Sequence, residues 1–419
     1  MAETAVAPPP PPERLRSLDA YRGFVMLAMA SGGLGLAQVA DAHPTSAFWE
    51  KLAFQFEHVN WRGCAFWDLI QPSFMFMVGV AMPFSEASRI ARGEAWGRRF
   101  GHVLWRSLVL VALGVFLSSA WSEATNFTFV NVLTQIGLGY WFVWLVLRRP
   151  PWVQAAVAGL VLVGYWALFA LYPIPPKGTP TGLPANWVYM QGFAAHWEKN
   201  LNAAADFDRL FLNLFPREAP FAFNEGGYQT LNFVPSIATM LFGVLAGKWL
   251  RSAYEARVKL LGLLLAGAVC MAVGTTLDPV SVVDRESWSR YDVLCPIVKR
   301  IWTPSWAIYS AAWTCWMLGG FYGVIDVLGW RRWSFPFVVV GMNSIAMYVM
   351  AQLLPGWVKG QIRTHVGTLF AWLNDRLGLP LDREVFTGSY APLLWALTSL
   401  FVLWLVTLWM YRRKLFLRI

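Results

Sequence analysis

Residues 57–85 read E-H-V-N-W-R-G-C-A-F-W-D-L-I-Q-P-S-F-M-F-M-V-G-V-A-M-P-F-S. From residue 64 onward the stretch is almost wholly apolar and reaches the ~20 residues a helix needs to cross a bilayer. Two features break that pattern. His58 stands beside Glu57 at the mouth of the run, and Asp68 lies just inside it. A buried carboxylate costs roughly 2.5–3.5 kcal/mol at mid-membrane on insertion scales, and less near the edge. A polar cluster kept there needs a partner or a task.

Similar runs continue in both directions. About ten can be read at spanning length: 21–40, 64–85, 105–121, 130–147, 152–172, 231–250, 259–277, 305–325, 335–354 and 392–411. They are too long and too uniformly apolar for barrel strands, so they are read as helices. Composition agrees. Of 419 residues, 57% are hydrophobic and 14% charged, against about 25% charged in a soluble protein. The 25 Trp residues suit rings at the headgroup level. The fold class is therefore all-α: a polytopic integral membrane bundle of about ten helices.

The formal charge of +10 sits in short clusters between apolar runs, which is topological bias and not a nucleic-acid face. Arg89, Arg92, Arg98 and Arg99 follow the second run, Arg148 and Arg149 the fourth, and Lys248 and Arg251 the sixth. Arg331 and Arg332 follow the eighth, and Arg412, Arg413 and Lys414 follow the last. Every second loop is basic, which places these loops and both termini in the cytoplasm. The first run has no A-x-A-like cleavage site and reads as a retained helix. Residues 1–13 read as a disordered, Pro-rich cytoplasmic tail, and 14–419 as one membrane domain. Four long loops (41–63, 173–230, 278–304 and 355–391) fall on the extracytoplasmic side, where a site would open. Cys64, Cys270, Cys295 and Cys315 have no metal-ligand spacing, so no metal is expected; they read as separate packed thiols, with a Cys64–Cys295 bridge on the outer side as the alternative.

His58 has a functional reading and a plain one. Imidazole near pKa 6.5 can serve as base or nucleophile, and Glu57 and Asp68 can orient or charge it. A lone interfacial histidine needs no function. Asp68 is equally a structural partner for an Arg on another helix. Arg14, Arg16, Asp19 and Arg22 enter the first run. They read either as a cytoplasmic anchor with a helix cap or as a phosphate grip. Asn131, Gln135, Glu225, Asn232, Asn343 and Gln352 are polar positions that interhelical hydrogen bonds can explain. Lys299, Arg300 and Trp302 lie in an outer loop against the positive-inside trend, which suggests contact with an anionic group or an acidic loop.

The blocks R-L-R-S-L-D-A-Y-R-G from Arg14 and H-V-N-W-R-G-C-A-F-W-D-L-I-Q-P-S-F-M-F-M-V-G from His58 carry a resemblance. So do E-G-G-Y-Q-T-L-N-F-V-P-S from Glu225, P-I-V-K-R-I-W-T-P-S-W from Pro296 and F-P-F-V-V-V-G-M-N-S from Phe335. In this order they resemble the heparan-α-glucosaminide N-acetyltransferase family and its bacterial relatives. The resemblance implies a transmembrane acyltransferase that moves acetyl from cytosolic acetyl-CoA to an extracytoplasmic amino-sugar or glycan acceptor. It places the active-site histidine at His58, the motif acid at Asp68 and the motif tryptophan at Trp61. CoA phosphates are then expected at Arg14, Arg16, Asp19 and Arg22. Acceptor groups are expected among Glu57, Asn60, Trp61, Glu225, Asn232, Lys299, Trp302 and Asn343. The bacterial cytoplasmic (inner) membrane is the expected location, in contact with lipid and not nucleic acid, and compatible with a homodimer. One departure stands out. Many relatives carry an Asn late in the first helix, where this chain reads Met29-Ala30-Ser31-Gly32-Gly33; Asn60 is a candidate substitute. The alternative class is a transporter or flippase of a polar or sugar-linked substrate, which would use the same buried polar residues as a pathway.

Overall fold

The apolar runs all fold as helix. The computed structural model describes residues 15–176, 178–281, 291–378 and 385–417. Arg14, the Pro-rich tail and parts of the 278–304 and 355–391 segments lie outside the described residues. Among the described residues there is no strand, only one isolated antiparallel bridge between Glu198 and Leu201. The helices are α1 (Arg16–Ala30), α2 (Leu36–Ala42), α3 (Ala47–Gln55), α4 (Ile70–Ala91), α5 (Trp96–Ser119) and α6 (Val132–Leu147). They continue with α7 (Pro151–Ala170), α8 (Ala203–Phe211), α9 (Phe233–Leu250), α10 (Ala256–Leu277) and α11 (Pro304–Tyr322). After α12 (Phe335–Gly341), α13 (Ser344–Leu353) and α14 (Pro355–Leu377) comes a closing helix, Ala391–Arg412.

Local chemistry sets many of the starts. Proline opens α7, α11 and α14, where its missing N–H costs nothing. Asn131 Oδ1 accepts from the N–H groups of Leu133 and Thr134 and caps α6. Thr303 caps α11 by accepting from Trp306 N–H.

The ten expected spans are supported in part. Among the described residues five helices are long and apolar enough to cross a membrane by length and composition: α5, α7, α9 with its preceding turn, α10 and the closing helix. Counting two bent pairs as single spans raises the number to seven. These are α1 with its continuation to Ala42, bent by 46°, and α12 with α13, bent by 83°. Helices α4 and α11 fall short because they are polar inside. Ser73, Glu86, Ser305, Ser310 and Thr314 are all buried against neighbouring protein. A helix surrounded by other helices does not need a fully apolar surface. The 16-residue α6 is short. The segment 355–391, expected as a loop, begins with the 23-residue α14. Its Lys359, Arg363, His365, Asp375 and Arg376 hide the helical pattern from a hydropathy reading.

The layers follow from burial. Only 17% to 28% of the apolar windows of α5, α7, α10 and the closing helix is buried, against 72% for α9. The outer helices present Leu108, Phe116, Leu160, Leu265, Val269 and Phe401 to the surroundings. So large an apolar surface fits hydrocarbon and not water. Several apolar helices of this kind mark an integral membrane protein. The inner helices close through small residues. A methyl placed on Gly79 of α4 would lie 2.0 Å from the Met240 carbonyl oxygen of α9, and one on Gly243 2.1 Å from that of Phe76. Gly23 of α1 and Gly341 of α12 meet in the same way. A second apolar cluster, with Trp61, Tyr165, Phe169, Trp197 and Ile301, holds the 173–230 segment down over one end of the bundle. All four cysteines are free.

Candidate active site

The loop between α3 and α4 carries His58, and a 3₁₀ turn, Phe66–Leu69, carries Asp68. Asp68 Oδ2 accepts from the N–H groups of Ala65 (3.0 Å) and Val59 (3.4 Å). These bonds fix the carboxylate at the start of α4, where a helix favours negative charge. Its other oxygen meets His58 Nδ1 at 2.7 Å. An ionised carboxylate only accepts, so Nδ1 donates and Nε2 keeps its lone pair. The Asp68 side chain is 1% exposed and that of His58 35%, so the ring is held from behind and open in front.

Lys299 completes the group from 241 residues away. Its Nζ lies 3.1 and 3.4 Å from the two ring nitrogens and 3.5 Å from Asp68 Oδ1. Burial lowers the His58 pKa below its ordinary value. The Asp68 hydrogen bond opposes this, and the Lys299 and Arg300 charges add to the lowering. His58 is therefore neutral at pH 7, as a base or nucleophile must be.

Three sequence blocks are stitched around this ring. Arg300 donates to the carbonyls of Gly226 (2.6 Å) and Val59 (3.2 Å), and Asn232 Nδ2 donates to the Arg300 carbonyl at 2.7 Å. Arg62 makes a bidentate contact with Asp278, at 2.9 and 2.5 Å, wholly out of solvent. Asp278 also accepts from Ser281 Oγ and from Ile297 N–H, and Gly63 N–H donates to the Ile297 carbonyl. The His58 and Lys299 loops are thus tied by one ionic knot. Burial pushes the Asp278 pKa up, but the hydrogen bonds and charge of Arg62, with the Ser281 and Ile297 bonds, outweigh it and lower it.

The open face of His58 looks into a cavity of about 250 Å³. Lys299, Trp67, Gln71, Tyr228, Tyr348, Gln352 and Met29 share its lining. A second cavity of about 420 Å³ lies at the other end of α1 and α4, lined by Arg22, Arg89, Arg92, His102 and Arg106. Arg89 and Arg92 pair with Glu94, while Arg106 lies over the Tyr140 ring at 4.7 Å. Both cavities run along the same helices. Ile70, Gln71 and Val132 line the first, and Phe74, Val78, Leu133 and Ile136 line the second, on adjacent turns of α4 and α6.

The expected residues divide. His58, Asp68 and Lys299 come together, and Asn232 supports them through Arg300. Trp61 is buried and donates to the Trp197 carbonyl; Trp302 is buried and donates to Thr239. Both hold the scaffold and do not line the cavity. Glu57, Asn60 and Glu225 are exposed and outside it. Asn343 sits at the α12–α13 break and accepts from Leu417 N–H, beside the basic cavity. Of the arginine block, Arg22 lines the basic cavity and lies 4.0 Å from Asp19; Arg16 does not line it. Tyr228, Trp67, Arg89, Arg92, His102 and Arg106 were not singled out for a site. Of these, Arg89 and Arg92 read as topological charge.

A family model described as heparan-alpha-glucosaminide N-acetyltransferase, catalytic, matches residues 14–277. The chain belongs to this family. Two relatives carry the name heparan-alpha-glucosaminide N-acetyltransferase. The one from Homo sapiens is 28% identical over 380 residues, covering 81% of this chain and 52% of the relative. That from Mus musculus is 26% identical over 391 residues, covering 83% and 55%. The chain spans about half the length of the curated relatives it matches. The family match takes in His58, Asp68 and Arg22, but the turn carrying Lys299 lies beyond it.

Proposed function

We propose that the chain is a transmembrane N-acetyltransferase that moves acetyl from acetyl-CoA to an amino-sugar or glycan acceptor. The observation that carries this is the Asp68–His58–Lys299 group opening into a cavity aligned, on two shared helices, with a basic one. Arg22, Arg89, Arg92, His102 and Arg106 fit the phosphates of CoA, since guanidinium recognises phosphate in paired hydrogen bonds. Arg14 and Arg16 of the same block belong to this reading by sequence alone, since Arg16 does not line the cavity. The acyl end of the donor would then pass along α4 and α6 toward His58. The basic cavity and both termini are assigned to the cytoplasm, His58 to the outer side, and the membrane to the bacterial inner membrane, on the alternation of basic loops.

The chemistry follows from the site. The acceptor amine attacks the thioester carbonyl, and His58 Nε2 takes the amine proton. Asp68 holds the ring in the right tautomer and stabilises the imidazolium that forms. The Lys299 ammonium faces the same space and stabilises the negative oxygen of the tetrahedral intermediate. The C–S bond breaks, the thiolate leaves, and the proton on His58 passes to it. Amide and free CoA are the products. Direct transfer needs one pass through the site, and no acyl-enzyme is required.

Donor binding is the test. Acetyl-CoA at 100 times its dissociation constant should stabilise the purified protein by about 2.7 kcal/mol, and adenosine should not. Replacing Arg22 and Arg106 by Gln should remove the effect. Equal stabilisation by adenosine, or none by acetyl-CoA, would return the chain to the transporter class.

A further inference from the structure

One stripe of side chains links the basic cavity to the His58 cavity. Trp67, Gln71, Phe74, Val78, Ser85 and Arg89 follow one another at steps of three, four or seven residues, the spacing of a single helical face. Arg89, Ser85, Val78 and Phe74 line the basic cavity, and Gln71 and Trp67 line that of His58. On this element the indole of Trp67 is the last lining group. It stands on the 3₁₀ turn Phe66–Leu69, the turn that also carries Asp68, and its ring lies 6.5 Å from that of His58.

The turn beneath the indole is fixed. Phe66 N–H donates to Gln55 Oε1 at 3.0 Å, and the Asp68 carboxylate holds the Ala65 N–H at the same distance. The indole itself packs on the Phe56 ring, with centroids 6.0 Å apart. A bulky ring on a fixed turn yields little. Space around it is short. The His58 cavity, about 250 Å³, is smaller than the ~300–1,000 Å³ of typical small-molecule sites, and two reacting ends must share it. Met29, Ile70 and Val132 also line it, so the wall offered to an acyl group is largely apolar. In such a wall a chain is judged by its size: each extra methylene that does not fit forces repacking.

We propose that Trp67 sets the length of the acyl group this chain accepts: acyl chains of two or three carbons fit, and the indole stops longer ones. A donor lying along α4, with its phosphates at Arg89 and its thioester at His58, has the acyl end leading. The next group along the stripe is the indole. The proposal rests on the acetyltransferase reading and adds to it the residue that selects the donor. The bonds made and broken are those of the transfer described above; only the size of the acyl group is at issue.

Two measurements on the detergent-solubilised full chain test it. The first is equilibrium binding of the thioethers S-ethyl-CoA and S-butyl-CoA, which carry short and long chains with no acyl group to transfer. Wild type should bind the ethyl compound at least about tenfold more tightly, whereas an open apolar groove would favour the butyl one. Trp67→Ala should erase that preference, and Trp67→Phe should keep part of it. The second is turnover. The ratio of kcat/KM for butyryl-CoA over acetyl-CoA should rise about tenfold or more in Trp67→Ala. Both readouts are ratios within one protein, so a general loss of folded enzyme lowers their two members together. Wild type binding both thioethers alike, or Trp67→Ala keeping the wild-type ratios, would overturn the stop. Length-dependent thioether binding with no transfer of any acyl group would keep the stop and remove the transferase reading. Binding of neither thioether would remove the donor and the stop together.

Discussion

At the scale of residues, the account turns on how three side chains share one proton. Asp68 accepts from Nδ1, Lys299 crowds the ring with positive charge, and Nε2 is left as the base. Lys299 lowers the His58 pKa, so removing it should raise that pKa. The neutral base would then be lost at higher pH. Lys299→Met should therefore move the acid limb of the pH–rate profile toward alkaline pH. It should also cut kcat about 10²-fold through the lost oxyanion contact. A profile that keeps its acid limb, with kcat unchanged, would make Lys299 a packing residue. The pairing of His58 with Asp68 was legible in the sequence because a short loop joins them. Lys299 was legible only as a charge in the wrong place. That it reaches the ring required the turn at Trp302, which takes a left-handed φ of 48° that no pattern announces. Glu57 adjoins His58 in the chain, yet it is exposed and off the cavity. Sequence adjacency in an irregular loop does not fix side-chain direction.

At the scale of elements, the site is held by helices that approach through glycine. Gly79, Gly243 and Gly247 let α4 and α9 touch backbone to backbone. Between helices in lipid such packing replaces the hydrophobic driving force. Gly243→Val should push α4 away, costing about 1–3 kcal/mol or more as overpacking, and should displace Asp68 with it. Thermal unfolding and acetyl transfer should fall together; an unchanged melting temperature would contradict the contact. Every apolar run was legible as helix from length and composition alone. Which of them contact lipid was not. Lipid-facing helices such as α10 are apolar all along, whereas α4 and α11, also read as spans, bury Ser, Thr and Glu among neighbouring helices and are less apolar than lipid contact requires. Helix α14 was missed for the opposite reason: its charges made a 23-residue helix resemble a loop.

Across the whole molecule, two ends with different chemistry face each other through the bundle. Topology is directly testable. In a cysteine-free background, Glu225→Cys should react with an impermeant reagent in intact cells and Arg98→Cys only after lysis. The reverse pattern would invert the orientation. The covering segment over the His58 end also has a pH signature. Burial pushes Asp208 up to about 6, with the Thr230 N–H bond opposing. A carboxyl raised in the folded state stabilises the fold below its unfolded value and loses that contribution as pH rises through about 6. Asp208→Asn should therefore stabilise the protein at pH 7.5 by about 1–3 kcal/mol and by progressively less toward pH 4. A variant less stable than wild type at pH 7.5 would mean the charge is needed there.

The central claim is that His58 removes the proton from the acceptor amine. Transfer of radiolabelled acetyl from acetyl-CoA to an amino sugar, measured side by side in wild type and His58→Ala, tests it most directly. Wild type should acetylate the amine. The variant should lose at least about 10²-fold in rate while still being stabilised by acetyl-CoA, and no labelled enzyme should accumulate when acceptor is withheld. A variant that keeps most of the wild-type rate would place the base elsewhere. Label trapped on wild-type protein and absent from His58→Ala would replace direct transfer with an acyl-histidine intermediate.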